Sequence, residues 1–339
     1  MGTKKIVYIG NKLRAKGRTI TTIETLSTQL RSLGFEVRTY SGVENKFFRF
    51  LDMLRGVIAN VRSADLVLID TYSTQNFYYA VAVGNLCRLF RIPYIPILHG
   101  GNLPVRLQNN KYLSHKLFHG AKTNVAPSHY LMEVFASEGY TNLTYIPNTI
   151  EISDYSFLLR KHTVPKLLWV RSFAEIYNPM LALLTLELLL KTHPRASLCM
   201  VGPEKDGSFT KCKEFAQQKG LPVTFTGKLS KETWRELSQD YDVFLNTTNF
   251  DNTPVSIIEA MALGLPVVST NVGGLPFLIE DQINGVLVAP NDPVALANAI
   301  NSLKQDKQRV MALSKEGRKK SEHFNWEKVQ QDWVRLLKQ

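Results

Sequence analysis

The sequence predicts an α/β protein made of two Rossmann-like domains, each a doubly wound parallel sheet, facing one another across a cleft. Three observations predict it. Short apolar runs alternate with segments of helical spacing along nearly the whole chain. The alternation restarts once, after a turn-rich polar stretch at 147–154. A chain of 339 residues is also long enough for about two domains, each with its own core. The expected division is 1–150, 151–320 and a C-terminal helix at 321–339 that is free to pack back on the first domain. In such folds ligands bind at the carboxyl ends of the strands.

Lys5–Ile9 reads as the first strand, ending at Gly10. A polar, basic loop follows at 11–18 with Gly17 in it. The loop has no GxGxxG, so it is not a nicotinamide site; it carries phosphate or acceptor contacts, or it is a plain turn. Ile20, Ile23, Leu26, Leu30 and Leu33 keep helical spacing until Gly34, and 35–40 is the next strand. Residues 46–62 form a basic amphipathic helix, with Phe47, Phe50, Leu51, Leu54, Ile58 and Val61 on its apolar face. Phe48 lies off that face, and Arg49, Arg55 and Arg62 add positive charge. Such a helix packs on the sheet, lies on an anionic membrane surface, or does both.

Leu66–Asp70 and Tyr94–Leu98 are strands around a helix at 74–90. His99 closes the second strand, before Gly100 and Gly101, which let a ligand approach the backbone. A structural histidine in a turn is the alternative. A strand at 123–126, a helix at 127–138 and a strand at 143–146 complete this half. The second half has strands at 166–170, 196–201, 223–225, 243–246, 266–269 and 285–288. Its helices are expected at 179–191, 209–219, 231–238 and 292–304, with a helical tail over 310–338.

The stretch from Phe250 to Leu278 carries the most chemistry. Asp251 and Glu259 are two acids with seven residues between them. Thr253 is expected as N-cap and Pro254 as the first helical residue, with the helix ending near Leu263 at Gly264. Asp251 then sits on the loop at the mouth of the helix and Glu259 about two turns inside it. The first-turn amides of Val255 and Ser256 are free to meet an anion. The stretch reads as a socket for a phosphorylated ligand with hydroxyls at both ends.

Composition and charge narrow the partners. Cys87, Cys199 and Cys212 are too few and too scattered for a disulfide framework or a metal site, which suggests a reducing compartment. The N-terminus lacks the features of a signal peptide, and no apolar run is long enough to span a bilayer, so a cytoplasmic protein is expected. Net charge is +12; residues 1–150 hold 18 Lys and Arg against 8 Asp and Glu, and residues 151–339 hold 23 against 21. No acid occurs between Tyr72 and Met132. A field of this kind attracts anionic lipid, nucleic acid or an acidic substrate, or serves solubility. No nucleic-acid-binding motif accompanies it, so nucleic acid is not expected as a partner.

Asp251 to Glu259, followed by EAMALGLPVVSTNVGG, resembles the element shared by retaining glycosyltransferases of the GT-B fold, family-4 type. The resemblance covers the whole chain in layout; it is most specific over 243–290 and loose over 1–150. It implies that Glu259 holds the nucleotide ribose and that Asp251 contacts hydroxyls of the donor sugar. It also implies that Arg171 binds the diphosphate, that His99 lies by the sugar, and that Gly17 approaches donor phosphate or acceptor. The base is expected near Gly202 and Lys228. The sequence departs from the family pattern at three places: Asp251 replaces a glutamate, Asn178-Pro179 stands where a lysine is common, and the first loop reads Lys16-Gly17 instead of Gly-Gly.

The function so implied is transfer of a sugar from a UDP- or GDP-sugar to a hydroxyl of a glycan or lipid-linked acceptor. Configuration is retained, and neither metal nor other cofactor is required. Cell-surface polysaccharide or glycolipid synthesis is the expected setting, at the inner membrane face if 46–62 docks there. A sugar-nucleotide epimerase, or a nucleotide-sugar or glycan binding protein with little catalysis, would use the same fold.

Overall fold

Each half of the chain builds a six-stranded sheet in which every pairing is parallel. The computed structural model of the protein describes residues 3–12, 21–161 and 165–339. The chain divides into two compact units, 1–147 with 331–339, and 148–330. The α/β class and the two parallel sheets agree with the expectation from sequence.

The first sheet contains β1 (Lys5–Ile9), β2 (Glu36–Tyr40), β3 (Leu66–Tyr72), β4 (Tyr94–His99), β5 (Asn124–Ala126) and β6 (Leu143–Tyr145), in the order β2-β1-β3-β4-β5-β6. The strand order reverses between β1 and β3, which opens a crevice at their carboxyl ends. The helices are α1 (Thr22–Ser32), α2 (Lys46–Ala59), α3 (Asn76–Leu89), α4 (Leu103–Asn109), α5 (Lys111–Phe118) and α6 (His129–Ser137). Helices α4 and α5 are absent from the sequence reading. Each is under three turns long, and Asn109-Asn110 interrupts them, so neither sustains a detectable period.

Helix α2 is where the expected apolar face and the buried face differ. The buried residues are Arg49, Met53, Gly56 and Val57. Gly56 lies flat on the Tyr40 ring, where a Cβ would overlap it, and this contact sets the rotation of the helix. Arg49 is tolerated inside because its Nε donates to the Val43 carbonyl and its Nη2 to that of Glu44, both at 2.7 Å. In consequence Phe47, Phe48, Leu51 and Ile58 face water, at 63%, 59%, 42% and 54% exposure.

The second sheet contains β7 (Lys166–Val170), β8 (Ser197–Val201), β9 (Val223–Gly227), β10 (Val243–Asn246), β11 (Val267–Thr270) and β12 (Val286–Val288), in the order β12-β11-β10-β7-β8-β9. Its switch point lies between β7 and β10. The helices are α7 (Pro179–Leu190), α8 (Ser208–Gln218), α9 (Lys231–Leu237), α10 (Val255–Ala262), α11 (Leu275–Leu278), α12 (Pro293–Gln305), α13 (Lys307–Ser321) and α14 (Trp326–Lys338). Alternate residues of β7 enter different apolar layers: Leu167 and Trp169 join the layer of α7 and α12, and Leu168 joins that of α10. That two-residue period is what a sheet covered on both faces requires.

Candidate functional site

At the switch point of the second sheet, Arg171 follows β7 and forms an ion pair with Asp251, from the loop after β10. The Arg171 guanidinium also lies over the Tyr177 ring, 4.4 Å from its centroid. Removal from water pulls the Arg171 pKa down from its ordinary value. Gly202, at the end of β8, has φ +154°, and a Cβ there would overlap the Arg171 carbonyl oxygen. Its N–H donates to the Gly227 carbonyl at 2.8 Å, so the ends of β7, β8 and β9 are drawn together beside exposed Lys228.

The Gly273-Gly274 turn supports Asp251 from behind. Gly273 has φ +53°, and a Cβ on either glycine would overlap a carbonyl oxygen, of Asp251 or of Asn252. The Gly274 N–H donates to the Asp251 carbonyl at 2.9 Å. The paired glycines are therefore needed for close backbone approach, and they fix the height of the Asp251 loop over the sheet.

Helix α10 starts one residue later than its sequence predicts. Pro254, with ψ 117°, is the N-cap, and Val255 is the first helical residue. Thr253 is not the cap. Thr-Pro fits both registers, because proline is tolerated at the extended cap as well as in the first turn. Proline offers no side-chain acceptor, so no side chain caps this helix. The Ser256 hydroxyl is buried with no hydrogen-bond partner among the described residues. The end of α10 thus offers first-turn amides and one hydroxyl to an anion, with the dipole adding to the attraction.

Glu259 is buried, and both of its partners act on one oxygen. The Tyr155 hydroxyl donates to Oε1 at 2.7 Å, and Lys231 Nζ lies 2.8 Å from the same atom. Among the described residues Oε2 has no such contact, so it can accept a further hydrogen bond. Burial first, then the charge of Glu259, pushes the Tyr155 pKa far up, so its hydroxyl stays a donor. Arg235 stacks on the Tyr155 ring and pairs with Asp154 at 3.1 Å. Tyr155 and Lys231 are absent from the sequence reading. Asn178 is a clasp: at φ +44° it caps α7 through the Leu181 amide and donates to Asn249 and to Asn291.

The first unit has its own polar centre. His99, at the end of β4, is buried and stacks on Tyr72, with ring centroids 4.9 Å apart. Its Nε2 lies 2.8 Å from Asp70 Oδ1, and the Tyr8 hydroxyl donates to that oxygen at 2.8 Å. Asp70 Oδ2 is buried without a partner among the described residues, and it faces Gly10, where a Cβ would overlap it. Burial, then Asp70, holds the Tyr8 pKa far above the usual tyrosine value. Asp70 is a further residue that the sequence reading treats only as a strand end. Gly17 lies outside the described residues. His99 belongs to one unit, and Arg171, Asp251 and Glu259 belong to the other. Among the described residues no group of three or more His, Cys, Asp or Glu is placed to hold a metal ion.

Residues 154–320 match the family model described as glycosyl transferases group 1. Over 141 residues the chain is 33% identical to the sulfoquinovosyl transferase SQD2 of Arabidopsis thaliana, which covers 39% of this chain and 26% of that protein. The matched part thus spans about a quarter of that relative's length. Among solved structures, sucrose-phosphate synthase from Thermosynechococcus elongatus has a TM-score of 0.81 at 18% identity, covering 99% of this chain and 98% of that one. HepE of Anabaena, in complex with UDP and glucose, has a TM-score of 0.76 at 17% identity, covering 99% and 100%. At these identities the two structures share the fold.

Proposed function

Because this chain belongs, through residues 154–320, to the group 1 glycosyltransferases, we propose that it transfers a sugar from a UDP- or GDP-sugar to a hydroxyl of a glycan or lipid-linked acceptor. Synthesis of a cell-surface polysaccharide or glycolipid is the setting that fits. The observation that carries this reading is the grouping at the second switch point. It combines a mostly buried Arg171–Asp251 pair, an uncapped α10 and a buried Glu259 with one unused carboxylate oxygen. These match the parts of a nucleotide sugar: Glu259 for the ribose, Arg171 and the α10 amides for the diphosphate, Asp251 for the sugar. The solved complex of HepE with UDP and glucose supports a donor of this class.

In the step proposed, the bond from the anomeric carbon to the diphosphate oxygen breaks, and the diphosphate leaves with the electron pair. The acceptor oxygen bonds to the same face of that carbon, which retains configuration. The acceptor proton passes to the departing phosphate oxygen. Charge grows on the diphosphate as it leaves, and Arg171 with the α10 amides stabilises it, so no metal is required for that task. Asp251 orients the sugar. His99 is assigned a contact with the sugar, with Asp70 fixing the orientation of its ring.

The basic first unit and the exposed stripe of α2 suit an anionic membrane surface. Phe47, Phe48, Leu51 and Ile58 are exposed together with Arg55 and Arg62, a pattern that inserts apolar rings and pairs charge with lipid headgroups. No helix is long and apolar enough to cross a membrane among the described residues. A calorimetric panel of UDP- and GDP-sugars tests the donor, and proton NMR of the product's anomeric signal tests retention. Binding of neither class, or an inverted product, overturns the corresponding part. Co-sedimentation with anionic vesicles tests the membrane face: Phe47→Ser/Phe48→Ser should release the protein, and unchanged sedimentation removes that claim.

A further inference from the structure

A recess of about 280 Å³ opens at the carboxyl side of the first sheet, lined by Lys46, Arg49, Thr74, Gln75, Asn76 and Tyr79. Its walls are the start of α2 and the start of α3. They are tied together, since the Tyr79 hydroxyl donates to the Lys46 carbonyl at 3.4 Å and the Tyr79 ring stacks on Phe50 at 5.2 Å. On the α3 side, Arg106 Nε donates to the Ser73 carbonyl at 2.6 Å and holds the loop that carries Thr74 and Gln75.

The lining is one-sided in charge. It contains two cations and no carboxylate. Arg49 is only 8% exposed, and its bonds to the Val43 and Glu44 carbonyls and, at 3.4 Å, to Asn11 Oδ1 aim the guanidinium. No side chain caps α3, so the positive end of its dipole adds to the same field. Asn76 and Tyr79 also line the small cavity beside Gly10 and Asp70, so the recess adjoins the β1–β3 switch point that leads to His99. A buried guanidinium, an ammonium and neutral hydrogen-bonding groups around a space of this size fit one compact dianion attached to a larger body.

We propose that this recess binds a phosphomonoester carried by the acceptor, with Arg49 as the fixed partner and Lys46 as the adjustable one. The inference rests on the transferase reading above, and it names the acceptor class: a phosphorylated polyol or the phosphate headgroup of a lipid. Both sources present the same group to the same residues. The exposed Phe47 and Phe48 next to Lys46 would lie against the acyl chains in the second case.

The test uses the full chain and sn-glycerol 3-phosphate as the soluble probe, followed by calorimetry at low salt. Replacing Arg49 risks the fold, since it holds the loop at 43–44. Lys46→Gln removes a charge from an exposed position, and Gln75→Glu adds an opposing charge at another exposed position. Each should weaken probe binding at least fivefold, and raised salt should weaken it in the parent. UDP binding, which belongs to the second unit, should be unchanged in both, so loss of this site and loss of the donor reading are told apart. Phosphatidylcholine vesicles with and without phosphatidic acid form the second arm. Loss of phosphatidate-dependent binding in both variants assigns the site to a lipid headgroup, and loss of the soluble probe alone assigns it to a soluble acceptor. Failure of the parent to bind either probe, or equal binding by both variants, overturns the proposal.

Discussion

The two switch points of this molecule are built alike in backbone and unlike in charge. In the second unit, between β7 and β10, the charges are already matched: Arg171 with Asp251, and Lys231 with Glu259. In the first unit, between β1 and β3, a single buried carboxylate, Asp70, serves Tyr8 and His99, and the recess beside it presents two cations. A matched set of charges costs less to hold in place while the site is empty than an unmatched one, and it can be shared with a polar ligand that brings its own hydroxyls. An excess of one sign draws in a ligand of the other. On the function proposed above, the second switch point is a donor site assembled in advance, and the first is an acceptor site that attracts by charge.

The largest effect expected is at Glu259. Glu259→Ala removes the carboxylate that accepts from Tyr155 and pairs with Lys231, and leaves a buried phenol without its acceptor. Loss of a charged hydrogen bond to the ligand costs about 2–3 kcal/mol, which is roughly a 30- to 160-fold rise in Kd for a nucleoside diphosphate. Calorimetry with UDP and GDP measures it. Parent-like affinity would show that the matched charges of the second unit serve only the fold, and the contrast between the two ends would collapse.

Gly274→Ala comes next. A Cβ at 274 overlaps the Asn252 carbonyl oxygen, a backbone atom that cannot swing aside. The Asp251 loop must lift or the turn must open, at a cost of about 1–3 kcal/mol. A drop in Tm together with weakened donor binding is expected. A drop in Tm with donor affinity unchanged would mean that the height of this loop is irrelevant to the ligand.

The same two regions show what a sequence makes visible. The second-unit motif is legible because one short stretch supplies Asp251, the end of α10, Glu259 and the glycines, and a contiguous stretch keeps its pattern. Tyr155 and Lys231 are not legible, since Tyr155 meets Glu259 across 104 residues and nothing local marks it as a partner. The strands were readable from short apolar runs with defined ends. The rotation of α2 was not, because it is decided by Gly56 against Tyr40 and by a satisfied buried arginine, which invert what hydrophobic spacing alone implies. Thr253 misleads for a local reason, since proline is at home on either side of a helix start. In the sequence Asp70 is an ordinary strand end, and only the fold brings Tyr8, 62 residues earlier, and His99, 29 residues later, onto one oxygen.

Asp70 also gives the finest test of the contrast. Asn at position 70 keeps the shape: its carbonyl can accept from both Tyr8 and His99 where Oδ1 now does, while the charge is gone. A buried carboxylate with an unpartnered oxygen is costly to the fold, so Asp70→Asn should leave the Tm unchanged or raise it. If the charge serves only packing, nothing else moves. If it holds His99 for the transfer, kcat falls about tenfold, roughly 1.4 kcal/mol, while Kd for UDP stays at the parent value. The Tyr8 pKa, held up first by burial and then by Asp70, should fall in the same variant yet stay above the usual tyrosine value, since the burial remains. A variant that is more stable and slower, with its donor site untouched, would mean that the first unit keeps a destabilising charge for the sake of the reaction. An equally fast variant would reduce the Tyr8–Asp70–His99 set to core structure.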